Sequence, residues 1–393
     1  METTDAFAGL RCMACNGQFD PETAGRCPDC GGPLAPTYDN LASAHGTVFE
    51  DAGIGSDLGR FAPVLPFPRE LLVTAGEAST PLVDAPTLAD DLGVGEVLVK
   101  DEGCNGTGGI ADREMAVAVA AAREHGADAV ALPTTGNGGQ AAAAYAGRAG
   151  LESHSFVPSR TTFANKAMIN VHGGDMTVVG GRYPDARGAF EDAIPGESWH
   201  SLAPLAEPYR YEGDKTVAYE LVETLDGAPN AVVMPVSHGL ALVGLDRGFR
   251  ELAATGWIDE RPRLYAAQAA GCAPIADAWA EGAGTVTPVE HPDAICGPLE
   301  VPDPAGGNVV LDALGASDGG AAATSDDGIL QAAVDLAGAG VPASATGGAA
   351  VSGARSLAAD GAFEASETVV LLDPATVNRE ADILRSHLMK QGI

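Results

Sequence analysis

Short apolar runs that alternate with alanine-rich stretches closed by glycine constrain this chain more than any other feature. Residues 96–100 read as a strand, and 112–125 as a helix closed by Gly126. Strands at 129–132, 153–157 and 176–179 alternate with helices at 139–149, ended by Gly150, and 161–172, ended by Gly173 and Gly174. A second series places strands at 231–236, 264–269 and 368–372, and helices at 239–254, 326–337 and 344–359. Strand, short loop and helix repeated in this way predict an α/β fold, a parallel sheet covered by helices on both sides. Two series fit two lobes with a cleft where strand ends meet. The expected division is a module at 1–36, a wrapping arm at 37–75, a large lobe at 76–112 and 206–393, and a small lobe at 113–205. The arm is polar and carries Gly46, Gly53, Gly55 and Gly59.

Charge narrows the class of partner. Among 393 residues, 54 are acidic and 22 basic, a net charge of −32, and the only lysines are Lys100, Lys166, Lys215 and Lys390. Such a surface repels nucleic acid and anionic lipid. One reading is an acidic face for a basic partner. The other is a halophile, its carboxylates screened by a salt-rich cytoplasm. No acidic block stands out, which favours the halophile. The longest apolar stretches, such as 116–122, fall far short of the ~20 residues of a membrane span. The amino terminus reaches Arg11-Cys12 without a basic-then-apolar signal, so a cytoplasmic protein is expected.

Four of the seven cysteines form two pairs, Cys12-x2-Cys15 and Cys27-x2-Cys30. Each pair lets both sulfurs face one ion, and four thiolates suit tetrahedral Zn2+. Two disulfides or a redox pair are the rival readings; paired spacing in a reducing compartment favours zinc. With only Arg11 and Arg26 as basic residues, this zinc ribbon reads as a structural clip rather than a nucleic-acid reader. Cys104, Cys272 and Cys296 read as small apolar residues.

Several ordered motifs run through the α/β region. They are Gly76-Glu77-Ala78-Ser79-Thr80-Pro81-Leu82, Asn105-Gly106-Thr107-Gly108-Gly109-Ile110-Ala111-Asp112-Arg113 and Thr134-Thr135-Gly136-Asn137. Tyr209-Arg210-Tyr211-Glu212-Gly213-Asp214-Lys215-Thr216, Arg261-Pro262-Arg263 through Gln268, and Gly271-Cys272-Ala273-Pro274 follow. Together they resemble threonine synthase and the fold-type II pyridoxal phosphate (PLP) enzymes, over nearly the whole chain. The resemblance implies the tryptophan synthase β-like fold, an amino-terminal zinc ribbon as in some members, and a possible homodimer. With the acidic surface, it points to a haloarchaeal source.

The departures fall on the cofactor. In the family, the lysine of Asn-Pro-Thr-Gly-Ser-Phe-Lys-Asp-Arg carries PLP as a Schiff base. The matching residue here is Ala111, preceded by Gly109 and Ile110 instead of Ser and Phe. A Gly-Asn-Gly loop usually cradles the cofactor phosphate; the matching turn is Ser237-His238-Gly239-Leu240. Val341 replaces the Glu before Pro342-Ala343-Ser344-Ala345, and the last strand delivers Asp373-Pro374 where a Thr or Ser and a Gly are usual. Gly136 and Asn137 match the loop that bonds the cofactor ring oxygen and holds the substrate carboxylate. Asn137 can equally persist as a helix-start residue, and His238 can be a loop histidine with a solvated ring.

The resemblance therefore implies a degenerate cleft lined by Ala111, Gly136, Asn137, Ser237, His238, Gly239 and Asp373. A paralogue without covalent PLP, binding a small anionic or amino-acid ligand, is the first reading. An active lyase, making threonine from O-phosphohomoserine or deaminating a hydroxyamino acid, is the second; it needs a substitute for the missing amine. New chemistry using His238, Asp112 or Asp373 is the third.

Overall fold

The computed structural model describes residues 1–50 and 56–392; Gly53 and Gly55 of the expected arm lie outside them. The amino-terminal strands are β1 (Phe7–Cys12), β2 (Gln18–Phe19) and β3 (Leu34–Tyr38), followed by helix α1 (Leu41–Glu50). Strand β4 (Leu82–Asp84), α2 (Pro86–Leu92) and β5 (Glu96–Asp101) lead into α3 (Ala111–Glu124). Then come β6 (Ala129–Pro133), α4 (Asn137–Ala149), β7 (Glu152–Pro158), α5 (Phe163–Val171), β8 (Asp175–Val179), α6 (Tyr183–Ala193) and β9 (His200–Ser201). Helix α7 (Glu212–Leu225) precedes β10 (Ala231–Pro235), α8 (Leu240–Ala254), β11 (Arg263–Ala269) and α9 (Pro274–Ala280). The chain closes with α10 (Gly307–Ala316), β12 (Gly320–Thr324), α11 (Asp326–Gly338), α12 (Gly348–Ala359), β13 (Thr368–Asp373) and α13 (Ala381–Lys390). No helix among the described residues is long and apolar enough to cross a membrane.

These elements form two compact units. The first comprises Met1–Ser79, Ala111–Val217 and Ala254–Gly256; the second comprises Thr80–Ile110, Ala218–Ala253 and Trp257–Ile393. The first unit holds an antiparallel sheet ordered β2-β1-β3 and a parallel one ordered β8-β7-β6-β9. Alanine lets α3 pack on every side: all residues from Met115 to Ala122 are 0% exposed. That helix is a core element, not an amphipathic cover.

The second unit is built on a sheet ordered β12-β11-β10-β13-β5-β4, parallel except for β4. Val97, Val99, Val233, Leu371 and Ala267 fill its core with Ile329 and Ala350 from α11 and α12. Both faces are covered, which is why its strands read as continuous apolar runs. The register sets Asp373 beside Asp101 at the carboxyl ends of β13 and β5. In this architecture, those ends are where ligands bind.

Candidate functional site

In the second unit, the 105–110 loop is laced to the chain that follows β13. Glu102 gathers Thr80 Oγ1 and Asn105 Nδ2, each at 2.7 Å. The Ile110 N–H donates to Pro374 O at 2.9 Å, and the Thr376 N–H to Gly108 O at 2.9 Å. Arg379 Nη2 donates to Thr107 O at 2.6 Å. Sequence reasoning missed Arg379, because its partner lies 272 positions away.

Asp373 ends β13 with 1% exposure. Its Oδ1 accepts from Ser344 Oγ at 3.1 Å and, more loosely, from the N–H groups of Ser344 (3.4 Å) and Ala375 (3.5 Å). Its Oδ2 is buried without a partner among the described residues. Burial, reinforced by the charge of Asp101, pushes this carboxyl well above the usual carboxylate range, against the Ser344 bonds. A Cβ on Gly347 would lie 2.2 Å from Asp373 Oδ1, so glycine is the residue that fits there. Ser344 and Thr346 are spent on acids, Thr346 bonding Glu380 through N (2.8 Å) and Oγ1 (2.9 Å). The helix expected from 344 therefore starts only at Gly348.

The turn between β10 and α8 carries Ser237, His238 and Gly239. Gly239 has φ 90°, and a Cβ there would meet Val310 Cγ2 at 2.4 Å. The His238 carbonyl accepts the Gly306 N–H at 2.9 Å, and its Nδ1 accepts the Ala305 N–H at 3.2 Å. A solvated ring was one expectation; instead the ring is half-buried, and accepting at Nδ1 places the neutral proton on Nε2. Cys104 also departs from its reading. It is exposed, its Sγ lies 3.3 Å from Asp101 Oδ2, and burial of the sulfur and the neighbouring acids push the thiol up to about 11. Cys272 and Cys296 are buried, as small apolar residues would be.

In the first unit, Ala111 is the first residue of α3, 7% exposed, and Asp112 beside it is fully buried. Asn137 opens α4 after Gly136, and its Oδ1 accepts from Asn165 Nδ2 at 3.0 Å. Thr134 Oγ1 accepts from the N–H groups of Gly136 (3.1 Å) and Gly139 (3.2 Å). The strand-to-helix turn is thereby held open at the positive end of a helix dipole.

Arg210 approaches the same turn. Its Nε donates to Glu114 Oε2 at 2.5 Å and its Nη1 to Leu202 O at 2.6 Å. Its Nη2, 3.3 Å from where a Gly138 Cβ would stand, has no partner among the described residues. A buried guanidinium with a free donor beside a helix amino terminus is suited to an anion. Arg210 stands inside a recognised motif, but only the distant Glu114 reveals its aim.

Three of the four lysines hold partners elsewhere. Lys100 Nζ bonds Glu220 Oε2 at 2.6 Å and Thr80 O at 2.8 Å. Lys215 Nζ bonds Val64 O at 2.7 Å, pairs with Glu212 at 2.9 Å and sits 4.0 Å from the Tyr38 ring centre. Lys166 Nζ bonds Ser159 O at 2.9 Å, and Lys390 is exposed in α13.

Cys12, Cys15, Cys27 and Cys30 converge, their sulfurs all within 4.8 Å of one another. Cys12 and Cys30 are 3.5 Å apart, and Cys15 and Cys27 3.7 Å. Bonds of ~2.3 Å to a central ion would give tetrahedral edges of about 3.8 Å. The N–H groups of Cys15 and Ala14 point at Cys12 Sγ and bring its thiol down to about 6.

Comparisons with known proteins agree with this architecture. The model of the pyridoxal-phosphate dependent enzyme family matches residues 73–374. The chain is 33% identical to threonine synthase of Methanosarcina acetivorans over 382 residues, 94% of this chain and 93% of that one. Identity to threonine synthase of Methanocaldococcus jannaschii is 30% over 368 residues, 92% and 90% of the two chains. Among solved structures, threonine deaminase isoform 2 of Solanum lycopersicum superposes with TM-score 0.68 at 19% identity, over 80% of this chain and 83% of that one. A lysine-to-alanine mutant of O-ureido-L-serine synthase, with O-ureido-L-serine bound, gives 0.63 at 19% identity, over 77% and 89%.

Proposed function

The chain belongs to the pyridoxal-phosphate dependent enzymes, among their threonine-synthase-like members, and we propose that it has given up covalent PLP chemistry and binds a small anionic amino-acid-type ligand. The observation that carries this reading is Ala111. It stands where the Schiff-base lysine is expected, in a chain whose two buried lysines are each locked in an ion pair. A methyl group forms no imine, and an amine held by a buried carboxylate is a poor substitute. The residues present therefore do not fit covalently held PLP, and no reaction step is assigned to it.

What remains is binding. The amino end of α4 and the free Nη2 of Arg210 offer donors to a carboxylate or phosphate. O-ureido-L-serine in the lysine-to-alanine mutant of a protein with this fold is a precedent for an amino-acid ligand in such a scaffold. The names of the relatives favour a second reading, an active lyase that makes threonine from O-phosphohomoserine or deaminates a hydroxyamino acid.

The four convergent thiols suit Zn2+ as a structural clip. The charge of −32 with four lysines supports a halophile, and seven free cysteines suit a reducing cytoplasm.

Two measurements in multimolar KCl test the proposal. Incubation with PLP, borohydride reduction and intact-mass analysis should find no cofactor attached at stoichiometric yield. Calorimetry with O-phosphohomoserine should show binding that Arg210→Met weakens by tenfold or more, with the melting curve confirming that the variant folds. Stoichiometric attachment to one lysine would favour the lyase.

A further inference from the structure

Arg210 stands between two tyrosines that both reach into the cysteine module. Tyr209 and Tyr211 are 0% exposed. The Tyr209 hydroxyl donates to Pro21 O at 2.8 Å, and the Tyr211 hydroxyl to Leu34 O at 3.4 Å. Both acceptors belong to the frame of the four sulfurs. Pro21 lies in the segment between Cys15 and Cys27, and Leu34 is the register partner of Cys12 in the β1–β3 pairing. A third bond, from the Tyr38 hydroxyl at the end of β3 to Glu212 Oε2, fastens the start of α7 to the same module. The Tyr209 ring packs against Phe7 of β1 and against Phe67, with centroids 6.1 and 5.0 Å away.

The side chain of Arg210 goes instead to Glu114, Leu202 and the turn at Gly138. With both sequence neighbours pinned, the reach of its guanidinium is set by where the module holds Tyr209 and Tyr211. That module is small: its sheet has strands of six, two and five residues. In a metal module of this size, binding the ion supplies much of the folding free energy. We propose that metal held by Cys12, Cys15, Cys27 and Cys30 positions Arg210 through Tyr209 and Tyr211, so that the anion site at α4 is fully formed only in the metal-loaded chain. The two tyrosines are positioning residues, acting through Arg210. If, as proposed above, Arg210 meets the anionic group of an amino-acid-type ligand, affinity for that ligand follows the metal content of the module.

Calorimetry with O-phosphohomoserine in multimolar KCl reads this coupling. Stripping zinc from the wild type with a chelator should weaken binding tenfold or more, and returning Zn2+ should restore it. Tyr209→Phe/Tyr211→Phe keeps both rings; loaded with zinc and shown by its melting curve to fold, it should still bind fivefold or more weakly. In Arg210→Met, stripping should cause no further loss, a result that a merely structural role of the ion would not give. Hydrogen exchange needs no ligand. The amides of Tyr209 and Glu212, bonded to Glu207 Oε1 (3.1 Å) and Tyr209 O (3.2 Å), should exchange faster once zinc is removed, and those of β11 should not. Equal affinity with and without zinc overturns the proposal, as does a further loss in Arg210→Met. Exchange that quickens equally in β11 is general unfolding and overturns it too. An Arg210→Met variant that binds as tightly as the wild type removes Arg210 from the ligand site, and the proposed function with it. Unchanged exchange at 209 and 212 removes instead the link to the cysteines.

Discussion

Lys100 Nζ lies 2.6 Å from Glu220 Oε2, with the two side chains 2% and 3% exposed. Two charges this deeply buried hold one another in place, and their desolvation makes either one costly alone. Lys100→Met, which takes the buried ammonium away from Glu220, should therefore destabilise the protein by about 3–5 kcal/mol. Adding Glu220→Leu should recover most of that loss. Denaturant melts in high salt check both; a single variant as stable as the wild type would mean that the pair does not form.

Asp373 should reveal itself by pH. Its folded-state pKa is raised, so the folded protein retains a proton that the unfolded chain releases above its ordinary value of 3.8. Stability from this group is then lost as pH rises from that value towards the folded pKa. Asp373→Asn keeps the size and cannot ionise. Its melting temperature relative to wild type should climb as pH rises through this window. A difference that stays flat from pH 4 to 8 would show an ordinary carboxylate.

The burial that lifts the Asp373 carboxyl is not written in the local sequence, and the reason is general to this chain. Strands β10 and β13 were legible, because a strand buried on both faces must be a continuous apolar run. Strand β12, Gly-Ala-Ala-Ala-Thr, was not, because alanine and glycine carry no such signal. Helices α6, α7 and α10 were not read, although bulky residues such as Tyr183 and Phe190 in α6 and Val310 and Leu314 in α10 line their buried faces. The early residues of the helix expected at 344–359 were assigned wrongly because distant acids, Asp373 and Glu380, claim Ser344 and Thr346. Motif residues were found by their spacing. Their partners, Arg379 for Thr107, Glu114 for Arg210 and Ala305 for His238, come from remote positions that no local pattern encodes.

The cysteine cluster should hold one Zn2+ per chain. Elemental analysis should find it at unit stoichiometry, and Cys12→Ser or a strong chelator should remove it and lower the melting temperature. Metal-free protein, or a variant that keeps its metal, would refute the assignment.

Salt should stabilise the fold. At −32, self-repulsion is screened within ~3 Å in molar salt and reaches ~30 Å at 0.01 M. The melting temperature should rise steeply from dilute buffer to multimolar KCl. Superimposable curves would remove the halophile reading.

A chain with Ala111 at the head of α3 should turn over no O-phosphohomoserine. Purified wild-type protein, zinc-loaded and supplied with PLP and O-phosphohomoserine in multimolar KCl, tests it most directly by the release of threonine. None is expected above a protein-free control, and none restored in full by Ala111→Lys alone, since Ser237 and His238 occupy the turn where the resemblance implies a Gly-Asn-Gly phosphate loop. Sustained threonine formation by the wild type would contradict it.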